Sequence, residues 1–211
     1  MARTRSPEFD NIQASIIEKT AALFASRGYA ATSIGDIAAA CNCSKSRLYH
    51  YFESKEAILS EMLTEHVDKL LERCRETLQR HEDPVERFHE LIRLFLDVYA
   101  VSGNKHVVLL TCLQFLPEDK RKEIVEKQRA LIATVRDILV RIRPDMPQDA
   151  QVTHADTMLF FGMINWTYTW YKPQGSIQPG ELAERAVDIF LDGYRHIAAP
   201  KAKSAKRSGA R

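Results

Sequence analysis

Strand signals are nearly missing from this 211-residue sequence: alternating apolar and polar stretches are scarce, and only 8 Gly and 8 Pro punctuate it. Apolar residues recur at helical spacing instead, so an all-α fold is expected. No apolar run approaches the ~18 residues of a membrane span, which argues against a transmembrane helix. The opening MARTRSPEFD has no apolar signal core, and a cytoplasmic location is expected. There are four cysteines. Cys41 and Cys43 form C-x-C, but no second pair or histidine cluster sits at metal-ligand spacing. Cys74 and Cys112 are isolated on apolar helix faces. Structural thiols are expected, a redox switch at Cys41 or Cys43 being the alternative. A Ser-His-Asp ordering, a Gly-rich phosphate loop and paired catalytic carboxylates are also missing, so neither an enzyme nor a cofactor is expected.

With 45% hydrophobic and 27% charged residues, the chain can build a core and keep a solvated surface. The length suits one domain or two small ones. The formal charge of +2 is unevenly spread. Lys201, Lys203, Lys206, Arg207 and Arg211 crowd the last residues, and Arg3 and Arg5 lie near the start. The rest of the chain is net acidic, so any affinity for DNA must come from local placement.

Residues 32–56, TSIGDIAAACNCSKSRLYHYFESKE, organise everything else. Ser33 and Asp36 make a capping box at the start of a short helix. Ile34, Ile37, Ala38 and Cys41 then form one apolar stripe. Asn42 stands where the chain must turn, and Asn tolerates positive φ. Ser44 caps a second helix over 45–51 whose one aliphatic anchor is Leu48. Lys45, Ser46, Arg47, Tyr49 and His50 are left for the outer face, as an insertion into a DNA major groove requires. Ser54 caps a third helix, and Lys55 beside it is expected to join the free N–H groups as a phosphate clamp.

From residue 12 to about 59 the chain resembles the DNA-binding domain of the TetR family of bacterial repressors. The resemblance rests on Phe24, Arg27-Gly28-Tyr29, Thr32-Ser33-Ile34, Asp36-Ile37-Ala38, Ser44-Lys45, Leu48-Tyr49-His50-Tyr51-Phe52 and Ser54-Lys55-Glu56. Asn42 replaces the family's usual turn glycine, and Cys41 and Cys43 replace its usual Ala and Val. The resemblance implies a three-helix helix-turn-helix domain over 1–54. Thr32, Ser33, Lys45, Ser46, Arg47, Tyr49, His50, Tyr51 and Lys55 are the expected DNA contacts.

A helical ligand-binding and dimerisation domain is expected over 55–197, with a basic disordered tail over 198–211, for about nine helices in all. Residues 1–8 read as a basic arm, followed by a helix over 9–27 that Gly28 stops. A long helix over 55–80 follows, then a capped start at Asp83-Pro84-Val85-Glu86 for a helix to about 101. Ser102-Gly103-Asn104 breaks the chain before a helix over 106–115, and Leu116-Pro117-Glu118 opens the next. After a linker at 143–147, residues 148–171 are apolar nearly all round, which marks a helix covered on both faces. The last helix, 179–197, repeats Leu182, Ala186, Ile189, Phe190, Gly193 and Ile197. A second copy packed against these last two helices is the expected cover.

A dimer of this kind reads an inverted repeat in double-stranded DNA. The aromatic-rich half suggests a small-molecule inducer pocket lined by Phe95, Tyr99, Phe115, Met158, Asn165 and Trp166. The run from Phe160-Phe161-Gly162 through Asn165-Trp166-Thr167, Trp170-Tyr171, Pro173 and Gly175 to Glu181-Leu182-Ala183 resembles TetR-like repressors of fatty-acid, sterol or phenylacetate breakdown. That subgroup implies an acyl-coenzyme A inducer, with Lys105, His106, Arg121, Lys122 and Arg129 available for phosphates. The alternative is a cationic-drug sensor controlling an efflux pump, which would need acidic groups near aromatics. Asp97 is the one candidate on its helix, and 157–171 contains none.

Overall fold

A computed structural model of the protein describes residues 7–144 and 149–196. The expected basic tail, most of the basic arm and residues 145–147 of the linker lie outside the described residues. Within them the chain is all-α, with nine α-helices and two 3-10 turns. α1 (Pro7–Arg27), α2 (Ile34–Ala40) and α3 (Lys45–Tyr51) form the helix-turn-helix unit. α4 (Lys55–Arg80) leads into α5 (Pro84–Val101), α6 (Gly103–Thr111), α7 (Glu118–Ile142), α8 (Ala150–Asn165) and α9 (Pro179–His196). No helix among the described residues is long and apolar enough to cross a membrane.

Local chemistry sets the helix ends. Gly28 takes φ 83° after α1, and Asn42 takes φ 53° in the turn between α2 and α3. Glycine carries no Cβ penalty there, and asparagine pays less than most residues. Ser33, Ser44, Ser54 and Asp83 each accept hydrogen bonds from the first free N–H groups of their helices. The Ser102 break is sharper than the sequence suggests. The Ser102 N–H closes α5 onto Val98 O at 2.7 Å, while its carbonyl accepts from His106 N at 3.0 Å and opens α6. Helix therefore resumes at Gly103. α8 stops at Asn165, short of 171. Thr167 donates to Ile164 O at 2.6 Å and Thr169 to Trp166 O at 2.8 Å. These hydroxyls compete with helical bonding, and the chain tightens into the 3-10 turn Trp166–Thr169.

Two apolar cores share the long helix. One surrounds Ile16, Phe24, Ile37, Leu48, Phe52 and the first half of α4, and it takes in Val108, Leu109 and Cys112 from α6. The other joins Leu70 and Cys74 of α4 to α5, α7, α8 and α9. The boundary drawn at residue 54 falls at the start of α4, but packing runs across it. α6 therefore belongs physically to the DNA-reading end.

α9 faces inward through Leu182, Ala183, Val187, Leu191 and Tyr194. Arg143 donates to Tyr194 O at 2.6 Å, and Tyr194 donates to Leu139 O at 3.2 Å, which fixes α9 against the end of α7. Ile189, read from the sequence as part of the apolar repeat, points outward and is 66% exposed. Leu159, Trp166, Tyr168 and Trp170 are exposed too. α8, with Met158 and Leu159 exposed, and the turn after it are thus covered on one face only within the single chain.

Candidate functional site

The outer surface of α3 is built on a single buried anchor. Leu48 is fully buried, and the Ser44 hydroxyl accepts from Arg47 N at 3.1 Å to start the helix. Lys45, Ser46, Arg47, Tyr49 and His50 all face solvent. The stem of Lys45 lies over Gly35 of α2, where an added Cβ would meet Cε at 3.2 Å. Tyr51 is half-buried, its ring centroid 4.7 Å from that of Phe9. A phosphate contact from Tyr51 must come from the edge left open beside Phe9.

Three expected DNA contacts are placed differently. Thr32 is buried, and its hydroxyl donates to Gly28 O at 2.9 Å, so it secures the end of α1. The Lys55 ammonium donates to Tyr29 O at 3.0 Å and Thr32 O at 2.9 Å, and sits 4.0 Å over the Tyr29 ring. Two of its three donors are held inside the protein, which corrects its reading as a phosphate clamp. Ser33 is exposed, but its hydroxyl and N–H are tied to Asp36 in the capping box.

Burial raises the Cys41 thiol above its ordinary value and lowers its thiolate fraction. Cys74, buried in the second core, is pushed up to about 12. Both observations favour structural thiols.

The second half contains a cavity of about 430 Å³. Its buried floor is Leu70 of α4, Phe95 of α5, His106 and Leu109 of α6, and Leu131 of α7. Gln128, Arg129, His154 and Met158 are its more exposed lining. Phe95, Tyr99, Met158 and Asn165 meet there as the sequence suggested. The Tyr99 hydroxyl donates to Asn165 Oδ1 at 2.8 Å, so the polar group of an apolar helix finds its partner. Phe161, His154 and Gln128 were missed, although Phe161 lies in the aromatic run that pointed to the pocket.

Two expected lining residues are elsewhere. Phe115 sits in the 3-10 turn Leu113–Phe115 and stacks on Tyr29 with centroids 4.7 Å apart. It braces the joint between the two halves. Trp166 is 63% exposed at the start of the 3-10 turn Trp166–Thr169, because α8 ends just before it.

The proposed phosphate-binding cations also divide. Lys105 is buried and ion-paired to Glu18 of α1 at 2.5 Å. Lys122 pairs with Glu118 at 2.6 Å, and Arg129 pairs with Glu126 but lines the cavity. His106 is no phosphate ligand: burial, then the His66 charge, pushes its ring down to about 3, opposed by hydrogen bonding to the Asn165 side chain. The ring is neutral at ordinary pH.

A family model described as "Bacterial regulatory proteins, tetR family" matches residues 16–62, and one described as "Tetracyclin repressor-like, C-terminal domain" matches residues 81–194. A crystal structure of a TetR-family transcriptional regulator from Bordetella parapertussis 12822 is 60% identical, with a TM-score of 0.86 over 90% of this chain and 99% of that one. The HTH-type transcriptional repressor KstR2 of Mycobacterium tuberculosis (strain ATCC 25618 / H37Rv) is 27% identical over 186 residues, covering 84% of this chain and 90% of its own. AibR, solved in complex with isovaleryl coenzyme A and operator DNA, is 26% identical with a TM-score of 0.73, covering 84% of this chain and 97% of its own. With its helix-turn-helix surface and its helical second half both accounted for, the chain belongs to the TetR family of DNA-binding transcriptional regulators, a non-enzymatic family.

Proposed function

We propose that this protein is a ligand-responsive repressor, released from an inverted-repeat operator by a coenzyme A thioester of a fatty or aromatic acid. The observation that carries the reading is where the cavity lies. Its walls include α4 and α6, and both helices also pack in the core that holds α3. A ligand filling the cavity presses on the elements that set the pose of the DNA surface. Preference for one pose by a few kcal/mol suffices to shift the population and release DNA.

Lys45, Ser46 and Arg47 are assigned to base edges, and Tyr49, His50 and the helix ends to phosphates. The partner is a second copy, packed through the α8 and α9 surface that leaves Leu159, Trp166 and Ile189 exposed. That apolar patch is the kind that a monomer rarely leaves open.

The ligand class is supported by three features. The cavity is largely apolar, as an acyl chain or aromatic ring requires. None of its lining residues is acidic, which disfavours a cationic drug. Arg129 and His154 lie on its more exposed side, where phosphates of a coenzyme A moiety would sit. AibR, a relative, was solved with isovaleryl coenzyme A.

An operator gel shift challenged with free acids, their coenzyme A thioesters and cationic dyes tests the proposal. Release by thioesters is expected. Release by dyes alone overturns the ligand assignment.

A further inference from the structure

The cavity has one buried polar pole with unused hydrogen-bonding capacity. His106 is 3% exposed, and its ring stacks on Tyr99 with centroids 3.6 Å apart. The Asn165 side chain lies close enough to interact with the His106 ring, but neither ring nitrogen makes a hydrogen bond of good geometry among the described residues. His66 of α4 lies 5.9 Å away, with its Nε2 also unpartnered. Native interiors rarely leave such groups unmet, so an unmet donor on a cavity wall points to a ligand atom.

The chemistry of that atom follows from the surroundings. A neutral imidazole offers one N–H donor and one acceptor nitrogen. The Tyr99 hydroxyl is already committed to Asn165, and burial raises its pKa, so it stays protonated. Tyr99 and His106 also border a second cavity of about 350 Å³, whose Lys105 is neutralised by Glu18. Among the described residues, no uncommitted buried cation is therefore at hand for a carboxylate. A carboxylate placed there would lose its hydration without a counter-charge, whereas a carbonyl oxygen needs only a donor.

We propose that His106 donates its ring N–H to an uncharged carbonyl oxygen of the ligand, seated beside Tyr99 and Asn165. This contact makes the protein prefer carbonyl compounds to carbonyl-free analogues and to free carboxylates. The inference rests on the reading of this cavity as the inducer site and adds the group that recognises the ligand's polar end.

The test is calorimetric titration of the full chain with octanoyl-coenzyme A and with octyl-coenzyme A, the thioether that lacks the carbonyl. Wild type is expected to bind the thioester about tenfold more tightly, the scale of one buried hydrogen bond. His106→Phe, which keeps a ring against Tyr99, is expected to level the two affinities. His106→Gln, which keeps a donor, is expected to retain part of the preference. Equal binding by wild type, or a preference undiminished in His106→Phe, overturns the proposal. Should His106→Phe fail to fold, the wild-type pair and His106→Gln decide by the same criteria.

If neither coenzyme A compound binds wild type, the thioester reading of the function falls on its own. The role of His106 is then decided with 2-nonanone, nonane and octanoate. A wild-type preference for the ketone over both others, lost in His106→Phe, supports the assignment. Its absence overturns it.

Discussion

Replacing Glu18 with glutamine would leave the Lys105 ammonium inside the α1–α6 joint without its carboxylate. The side chain of Lys105 is 10% exposed and that of Glu18 is 63% exposed. Breaking a fully buried pair costs about 3–5 kcal/mol, and an exposed pair is worth about 0–1 kcal/mol. This pair lies between those limits, because solvent screens only the carboxylate side. Glu18→Gln is therefore expected to cost about 1–2 kcal/mol, a fall in Tm of about 2–8 °C for a chain of this size. Lys105→Met is expected to cost less, since it removes the buried charge along with its partner's role. A double-mutant cycle by thermal or urea unfolding should return a coupling of about 1 kcal/mol. The joint also connects the proposed inducer cavity to the reading unit, so, on that proposal, Glu18→Gln should need more inducer for half-release of operator. Additive effects within about 0.5 kcal/mol, with an unchanged inducer requirement, would refute the reasoning.

Arg47→Ala is expected to reduce discrimination between operator and random DNA by about 1–3 kcal/mol; equal losses on both DNAs in gel shifts at two salt concentrations would count against base reading. Lys55→Ala should instead lower the melting temperature while leaving the salt slope of DNA binding unchanged, because the ammonium holds Tyr29 and Thr32 carbonyls. If the proposed dimer forms through α8 and α9, Ile189→Asp, which places a charge on the exposed α9 surface, is expected to give a monomer by light scattering, with loss of operator binding. Asp36 is held below its ordinary carboxylate range, chiefly by the Ser33 hydroxyl. A depressed folded pKa gives stability that is complete above the unfolded value and is lost as pH falls through the folded one. Ser33→Ala should therefore flatten the acid limb of the stability profile below about pH 4, measured by circular dichroism.

Much of the DNA-reading unit could be read from the chain because its determinants are local. A serine cap, an acidic partner three residues on and an asparagine at the turn each act within a few residues and set the ends of α2 and α3. Leu48 then holds α3 in the core shared with α1 and α4. The cavity was harder. Phe95, Tyr99, Met158 and Asn165 met as expected, but Trp166 did not, because threonine hydroxyls end α8 one residue before it. Phe115 looked like pocket lining and instead stacks on Tyr29, a partner far from it in sequence.

The charged residues show the same division most clearly. Lys55 and Lys105 read as free cations in a sequence, since nothing nearby announces their partners. Folding brings carbonyls of the α1–α2 connection to Lys55 and the Glu18 carboxylate to Lys105, and both side chains become structural. His106 changes in the opposite way: a polar residue on a short helix becomes an unpartnered neutral donor on a cavity wall. Helix identity, caps and the polar face of α3 were determined by the sequence alone, because hydrogen bonds and periodicity within one turn decide them. Which polar groups remain available for DNA or ligand was decided only by the tertiary structure, because that depends on partners dozens of residues away and on how far water is excluded.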